Sequence, residues 1–239
     1  MIINIITLFP AMFPAVFGES IIKRAQARGA IEINIVDLRA YGIGRHKVAD
    51  DTPYGGGGGM VMKPEPIAAA LDSLPERGHV ILTTPRGTLF RQATALRLSG
   101  LPVITLICGH YEGIDERVSE LFVDEEISIG DYVLTGGEIP AMAILDAVVR
   151  LIPSVLGMDT CITGDSHYEG LLEHPQYTRP PEFLGLTVPE VLLSGDHDRI
   201  KRWRRKMALR KTRSERPDLF NNLELSASDH RLSERSENS

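Results

Sequence analysis

The sequence predicts an α/β protein: a parallel sheet covered on both faces, then a small helical domain. Three observations carry this reading. Short apolar runs rich in Ile and Val recur through the first part of the 239-residue chain, and near-continuous apolar strands belong to sheets buried on both sides. Stretches of helical periodicity alternate with them, as in βαβ units. Past Pro180-Pro181 the strands stop and the chain turns helical and basic.

Taken in order, the strands are Ile2 to Leu8, Ile31 to Val36, Val80 to Thr84, Val103 to Cys108 and Ile127 to Ile129. Helical patterns lie between and after them: Met12 to Ala27, Pro64 to Leu74, Phe90 to Leu98, Ile114 to Phe122 and Gly137 to Leu151. Pro153, Gly157, Gly164 and Gly170 then break the pattern, with Asp and Thr between them. The division expected is a sheet domain over 1–155, a flexible linker over 156–170 and a helical, basic domain over 171–239.

The stretch from Cys108 to Met142 is the most informative. Strands run into turns that carry Gly109, Gly113, Gly130, Gly136 and Gly137. A third turn, Thr83 to Gly87, closes the strand that begins at Val80. Glycine at a strand end permits positive φ and lets a ligand approach the backbone. Three such turns at the carboxyl ends of neighbouring strands form the crevice where α/β proteins bind ligands.

Composition bounds the function. With 43% hydrophobic and 24% charged residues the chain is globular. The N-terminal MIINIITLFP lacks a basic region and a cleavage site, so it is expected to be a strand rather than a signal peptide. No apolar run reaches the length of a membrane span. Cys108 and Cys161 fit no metal spacing and suggest a reducing, cytoplasmic setting. Net charge is −6, unevenly spread: +6 over 199–239 against −12 over 1–198. Such asymmetry accompanies a polyanion-binding segment on an acidic body.

Several motifs are excluded. Gly55 to Gly59 is followed by Lys63-Pro64, not by the Lys-Ser/Thr of a phosphate loop. No GxGxxG joins a strand to a helix, and Gly164-Asp165-Ser166-His167-Tyr168 lacks the second glycine of a nucleophile elbow. His110-Tyr111-Glu112 has no PCxxC partner to complete a deaminase zinc site. Arg199 to Arg213 is expected to be a helix started by Asp196 or Asp198, and it carries Arg199, Lys201, Arg202, Arg204 and Arg205 with no acid inside it. Like charges without compensating Glu destabilise a helix, a cost that phosphate binding would offset.

The stretches LFPAMF, DDTPYGGGGGM, CGHYEGIDERV, SIGDYVLTGGEIPAM, RLIPSVLG, GLLEHPQYTRP and VLLSGDH resemble the bacterial tRNA (guanine-N1-)-methyltransferase family (the TrmD family, SPOUT class) from Ile3 to about Glu224. The resemblance implies a trefoil-knotted sheet domain, a topology that periodicity alone does not reveal. It implies methyl transfer from S-adenosyl-L-methionine to N1 of the guanosine immediately 3′ of the tRNA anticodon. It implies donor binding by Pro85 and Gly87, by Gly109, Tyr111, Glu112 and Gly113, and by Ile129, Gly130, Asp131, Tyr132, Val133 and Leu134. Asp165 matches the family's general base and Arg150 its catalytic arginine. The partners implied are tRNA, met by Arg199, Lys201, Arg202 and Arg205, and a second copy of the chain in a homodimer with a shared active site. A divalent metal such as Mg is compatible with the resemblance, but the sequence marks no place for one. The chain departs from the family pattern at His110, usually Arg; at Gly58, commonly Pro; and at His167, usually Phe. The alternative reading is an RNA-binding protein on the same scaffold without turnover.

Overall fold

A computed structural model describes residues 1–153, 155–156 and 164–234. They divide into two compact units, Met1–Met158 and Asp159–Ser239. Cys161 and residues 157–163 of the expected linker lie outside the described residues.

The first unit is built on a five-stranded sheet. Its strands are β1 (Ile2–Thr7), β2 (Glu32–Asp37), β5 (His79–Leu89), β6 (Val103–Cys108) and β7 (Glu125–Ser128), in the order β2-β1-β6-β5-β7. All pairings are parallel. A separate short hairpin pairs β3 (Asp50–Asp51) with β4 (Val61–Met62). Every residue of β6 is buried, as its central place requires.

Helices cover both faces. On one, Ile6, Leu8, Val80, Leu82 and Ile107 pack with Ile67 and Leu71 of α3 (Pro64–Asp72) and Val118 of α5 (Glu116–Phe122). The alternate residues Ile3 and Ile5 are fully buried on the other. There α2 (Ser20–Ala27) and α4 (Gln92–Ser99) pack on α6 (Glu138–Val149), which also contacts β6. Asn4 is a buried polar residue in this apolar setting and is satisfied by its register partners. Its Nδ2 donates to Thr105 Oγ1 at 3.2 Å, and its Oδ1 accepts from Asn34 Nδ2 at 3.2 Å.

Several elements differ from the sequence expectation: the β3–β4 hairpin was not foreseen, and β7 begins two residues before the expected Ile127. The helix expected over 12–27 is broken into a 3₁₀ turn (Pro10–Met12), α1 (Pro14–Phe17) and α2, because Gly18 and the extended Glu19 interrupt it. The strand expected to close at Thr84 runs on to Leu89 with a register shift between Thr83 and Thr88. Thr83 to Gly87 is therefore a bulge within a strand rather than a closing turn. After Pro180-Pro181, where no strand was expected, β8 (Glu182–Phe183) and β9 (Leu186–Thr187) form a small hairpin.

The second unit is otherwise helical: α7 (Glu190–Leu193), α8 (His197–Glu215), α9 (Pro217–Phe220) and α10 (Ala227–Glu234). Asp196 caps α8, its side chain accepting from the N–H groups of Asp198 at 3.1 Å and Arg199 at 3.0 Å. Its core is small: Leu171, Ala208 and Leu209, flanked by Phe220, Leu223, Leu225 and Leu232.

Candidate active site

A cavity of about 310 Å³ opens at the carboxyl ends of β5, β6 and β7. It falls at the lower end of the roughly 300–1,000 Å³ typical of small-molecule sites. Among the residues expected at a donor site, Pro85, Gly109, Tyr111, Glu112, Gly113, Ile129, Gly130, Tyr132, Val133 and Leu134 line it. Gly87 and Asp131 do not. Gly87 sits in the continued part of β5, where a Cβ would lie 2.5 Å from the Glu126 and Ile127 backbone. The run Gly55 to Gly59 does not line the cavity, although a Cβ on Gly59 would stand 2.4 Å from Glu112 Oε1.

Most of the site's glycines serve close approach rather than positive φ. Only Gly113 among the five has a positive φ, 126°. Gly137 is the tightest: a Cβ there would meet Thr83 Oγ1 at 2.1 Å and Gly109 N at 2.8 Å. That crowding comes from a stitch between the loops. Gly137 N donates to Gly109 O at 2.7 Å, and Thr83 Oγ1 lies within hydrogen-bond distance of both Ile107 O (3.1 Å) and Gly137 O (3.2 Å). The ends of β5 and β6 are thus tied to the start of α6, through the Thr83 hydroxyl and backbone groups of Ile107, Gly109 and Gly137. Tyr111 adds a left-handed turn (φ 59°), closed by Gly113 N donating to His110 O at 3.1 Å.

His110 packs edge-on to Tyr111 and against Phe9, with ring centroids 4.8 Å apart in each pair. Its Nδ1 is buried without a hydrogen-bond partner among the described residues. Glu138, 2% exposed at the start of α6, accepts from Thr7 Oγ1 at 2.8 Å behind the cavity. Burial pushes the Cys108 thiol well above its ordinary range, and Glu138 adds to the effect, so this cysteine is inert at neutral pH. At the rim, Arg86 Nη2 donates to Glu116 at 2.9 Å. The sequence reading did not name Thr135, Pro140 or Glu116 as lining residues. They sit inside stretches that look like plain helix starts and loops, and no local signal distinguishes them.

The two residues matched to catalytic roles fall in different units. Arg150 ends α6, its N–H bonded to Asp146 O at 3.3 Å, and does not line the cavity. Asp165 lies in the helical unit, its carbonyl accepting from Tyr168 N at 3.3 Å, and borders a second cavity there. On α8, Arg199, Lys201 and Arg202 are exposed. Arg205 is placed differently. Its Nε and Nη2 donate to Asp229 at 2.9 and 3.1 Å, and its Nη1 donates to Glu169 at 3.3 Å. These acids come from outside the helix, so the sequence of α8 alone does not show them. Among the described residues no cluster of three or more His, Cys, Asp or Glu side chains is placed to hold a metal ion. No helix there is long and apolar enough to cross a membrane.

Comparison with known proteins supplies the family. The family model described as tRNA (guanine-1)-methyltransferase TrmD matches residues 1–222. The chain is similar to a protein named tRNA (guanine-N(1)-)-methyltransferase from Desulforudis audaxviator, 56% identical over 236 residues, which is 97% of this chain and 94% of the relative. A protein of the same name from Geotalea uraniireducens is 56% identical over 229 residues, 95% of this chain and 93% of the relative. Another from Dictyoglomus turgidum is 54% identical over 233 residues, 97% of this chain and 95% of the relative. A match of this extent, on a parallel α/β sheet with a cavity at its strand ends, shows that the chain belongs to the tRNA (guanine-1)-methyltransferase family and is a methyltransferase.

Proposed function

We propose that this enzyme methylates N1 of the guanosine immediately 3′ of the tRNA anticodon, with S-adenosyl-L-methionine as donor. The observation that carries this reading is the cavity at the carboxyl ends of β5, β6 and β7, in a chain whose relatives are named for guanine-N1 methylation. Its walls fit a nucleoside. Pro85, Ile129 and Leu134 offer apolar surface to a flat ring, and the glycine turns at Gly109 and Gly130 let that ring approach the backbone. Bound there, S-adenosyl-L-methionine supplies an electrophilic methyl group on a sulfonium.

The residues of the chain do the rest. Guanine N1 carries a proton and is a weak nucleophile at neutral pH. Asp165 accepts that proton as the N1–methyl bond forms. Arg150 stabilises negative charge developing on O6, or holds a neighbouring phosphate. Arg199, Lys201 and Arg202 attract the RNA backbone. No step is assigned to a metal. In functional terms residues 1–155 hold the donor, 156–170 join the domains and 171–239 hold tRNA. The reading includes a trefoil-knotted sheet, a cytoplasmic setting and a homodimer whose second copy completes each site. The apolar side chain of Val133 at the cavity wall is 81% exposed and offers such a copy surface to cover.

The test is nucleoside mapping by mass spectrometry, after incubation of a tRNA transcript with donor and enzyme. N1-methylguanosine 3′ of the anticodon is the expected product. Methylation of another atom refutes the assignment, and tight binding without product leaves the RNA-binding alternative. Sedimentation that shows a fully active monomer ends the shared-site reading.

A further inference from the structure

A second cavity, of about 510 Å³, lies wholly within the helical unit. One wall is a face of α8, where Lys201, Arg204, Arg205 and Ala208 recur at spacings of three and four. The segments around His174 and Asp229 complete it.

Charge alone does not name an occupant, because carboxylates of Asp165, Glu169, Glu173 and Asp229 also border the cavity. What separates the polar groups is whether the protein already satisfies them. Arg205 is spoken for by Asp229 and Glu169. The Glu173 carboxylate accepts from Gln176, and its N–H donates to Ser166 Oγ at 2.9 Å. Lys201 and Arg204 form no ion pair among the described residues. His174 Nε2 is buried with no hydrogen-bond partner among them. Burial lowers the His174 pKa and Arg204 lowers it further, so at neutral pH the ring is neutral and carries a single N–H.

Two unpaired cations and a sequestered imidazole therefore border one space. A group that satisfies all three is an anion with several acceptor oxygens, which describes a phosphate. The basic surplus of the C-terminal segment, +6 over 199–239, favours a phosphate carried on a polyanion. We propose that this cavity seats one backbone phosphate of the RNA substrate, held by Lys201, Arg204 and the Nε2–H of His174. The inference rests on the reading of the chain as a tRNA-modifying enzyme and deepens it. Asp165 borders the same cavity, so a phosphate fixed here sets the register of the strand against that carboxylate.

The experiment measures binding of an anticodon-arm RNA hairpin to the full chain by fluorescence anisotropy across a range of salt concentrations. Arg204→Gln is expected to weaken binding several-fold and to reduce the slope of log K against log salt by about 1. His174→Leu should weaken binding with little change in slope, because it removes a neutral donor. Hairpins carrying one uncharged methylphosphonate at each position in turn locate the phosphate: at one position the loss seen with the wild type vanishes in Arg204→Gln. An unchanged slope, or losses that add at every position, overturns the proposal. GMP and inorganic phosphate are titrated as separate arms, and either one displacing the hairpin at comparable concentration assigns a free-phosphate site and also overturns it. If Arg204→Gln fails to fold by circular dichroism, Lys201→Gln, on the exposed side of the same face, gives the same readout. Methyl transfer by the wild type to the same hairpin is scored independently. Product with an unchanged slope sinks this inference alone; the expected slope without product sinks the functional reading alone.

Discussion

The two units hold their cavities in opposite ways. In the sheet unit the walls are largely backbone, glycine and apolar side chains, and the rim charges Arg86 and Glu116 neutralise each other. In the helical unit the walls are long charged side chains, positioned by ion pairs such as Arg205–Asp229. The first suits a small nucleoside, recognised by shape and by backbone edges. The second mixes cations with carboxylates, and what it offers an occupant is the few polar groups left without partners among the described residues, Lys201, Arg204 and His174 Nε2. The difference teaches where each site is vulnerable. A site made of strand ends fails when the backbone is forced apart. A site made of side chains fails one interaction at a time.

The largest expected effect tests whether chemistry depends on the helical unit at all. Asp165→Asn should reduce single-turnover methyl transfer by roughly 10²- to 10⁴-fold, the contribution of a well-placed base, while donor and tRNA affinities persist. Asparagine can still cap a turn, so near-normal single-turnover rates would remove Asp165 from the chemical step.

Next is the backbone-built site. Gly137→Ala places a methyl group 2.1 Å from Thr83 Oγ1 and 2.8 Å from Cys108 Cα. It should destabilise the sheet unit near the upper end of the roughly 1–3 kcal/mol cost of overpacking and weaken donor binding. Gly100→Ala meets only Arg97 O at 3.5 Å and is the neutral control. Urea unfolding and donor calorimetry check both. Unaltered stability in Gly137→Ala would mean that the loop stitch yields easily.

The third prediction concerns the ion pair. The Arg205 guanidinium lowers the Asp229 carboxyl from its ordinary 3.8 to about 2, with Ser226 helping. The folded-state pKa is depressed, so the stabilisation is complete above about pH 4 and is lost as pH falls through about 2. It amounts to roughly 2 kcal/mol. Asp229→Asn should be less stable than the wild type by about that much at pH 7, with the gap closing toward pH 2. A gap that stays constant with pH would mean that the pair is not what stabilises this unit.

The smallest effect sharpens the charge side of the comparison. Arg199→Glu and Arg202→Glu should each flatten the salt dependence of tRNA binding by roughly one phosphate's worth and leave donor binding unchanged. Arg205 is unsuitable for this test, because reversing it would strand Asp229, which is 5% exposed. Unchanged slopes would make the outer face of α8 a merely solvated one.

Much of the sheet was legible in the sequence. β1, β2 and β6 lie within a residue or two of the apolar runs. Burial leaves a continuous hydrophobic signature in β1 and β6, whereas β2, a half-buried edge strand, is marked by its β-branched Ile33, Ile35 and Val36. The strand ends that border the cavity were legible from glycine and proline placement, but the reason for the glycines was not. At Gly109 and Gly137 the constraint is a neighbour far away in sequence, and local pattern carries no trace of it. The same holds for Arg205, whose partners lie 24 and 36 residues away. The extension of β5 beyond Thr84 was hidden because Pro85 and Gly87 are ordinarily turn residues. The individual roles assigned to Arg150 and Asp165 came from resemblance, since either residue alone has an everyday structural use.

The bulge in β5 has a consequence for how this enzyme can change. Ile127 pairs with both Thr83 and Thr88, so the residues between them stand outside the ladder. Pro85 and Arg86, both exposed, border the cavity without holding any rung of the sheet. Gly87 closes the detour against the β7 backbone. Length and side chains can therefore vary over Thr84 to Arg86 while the strand's register survives. This makes the segment an adjustable wall on a fixed frame, and the natural place to insert, delete or randomise residues when the cavity is to be reshaped for a bulkier donor.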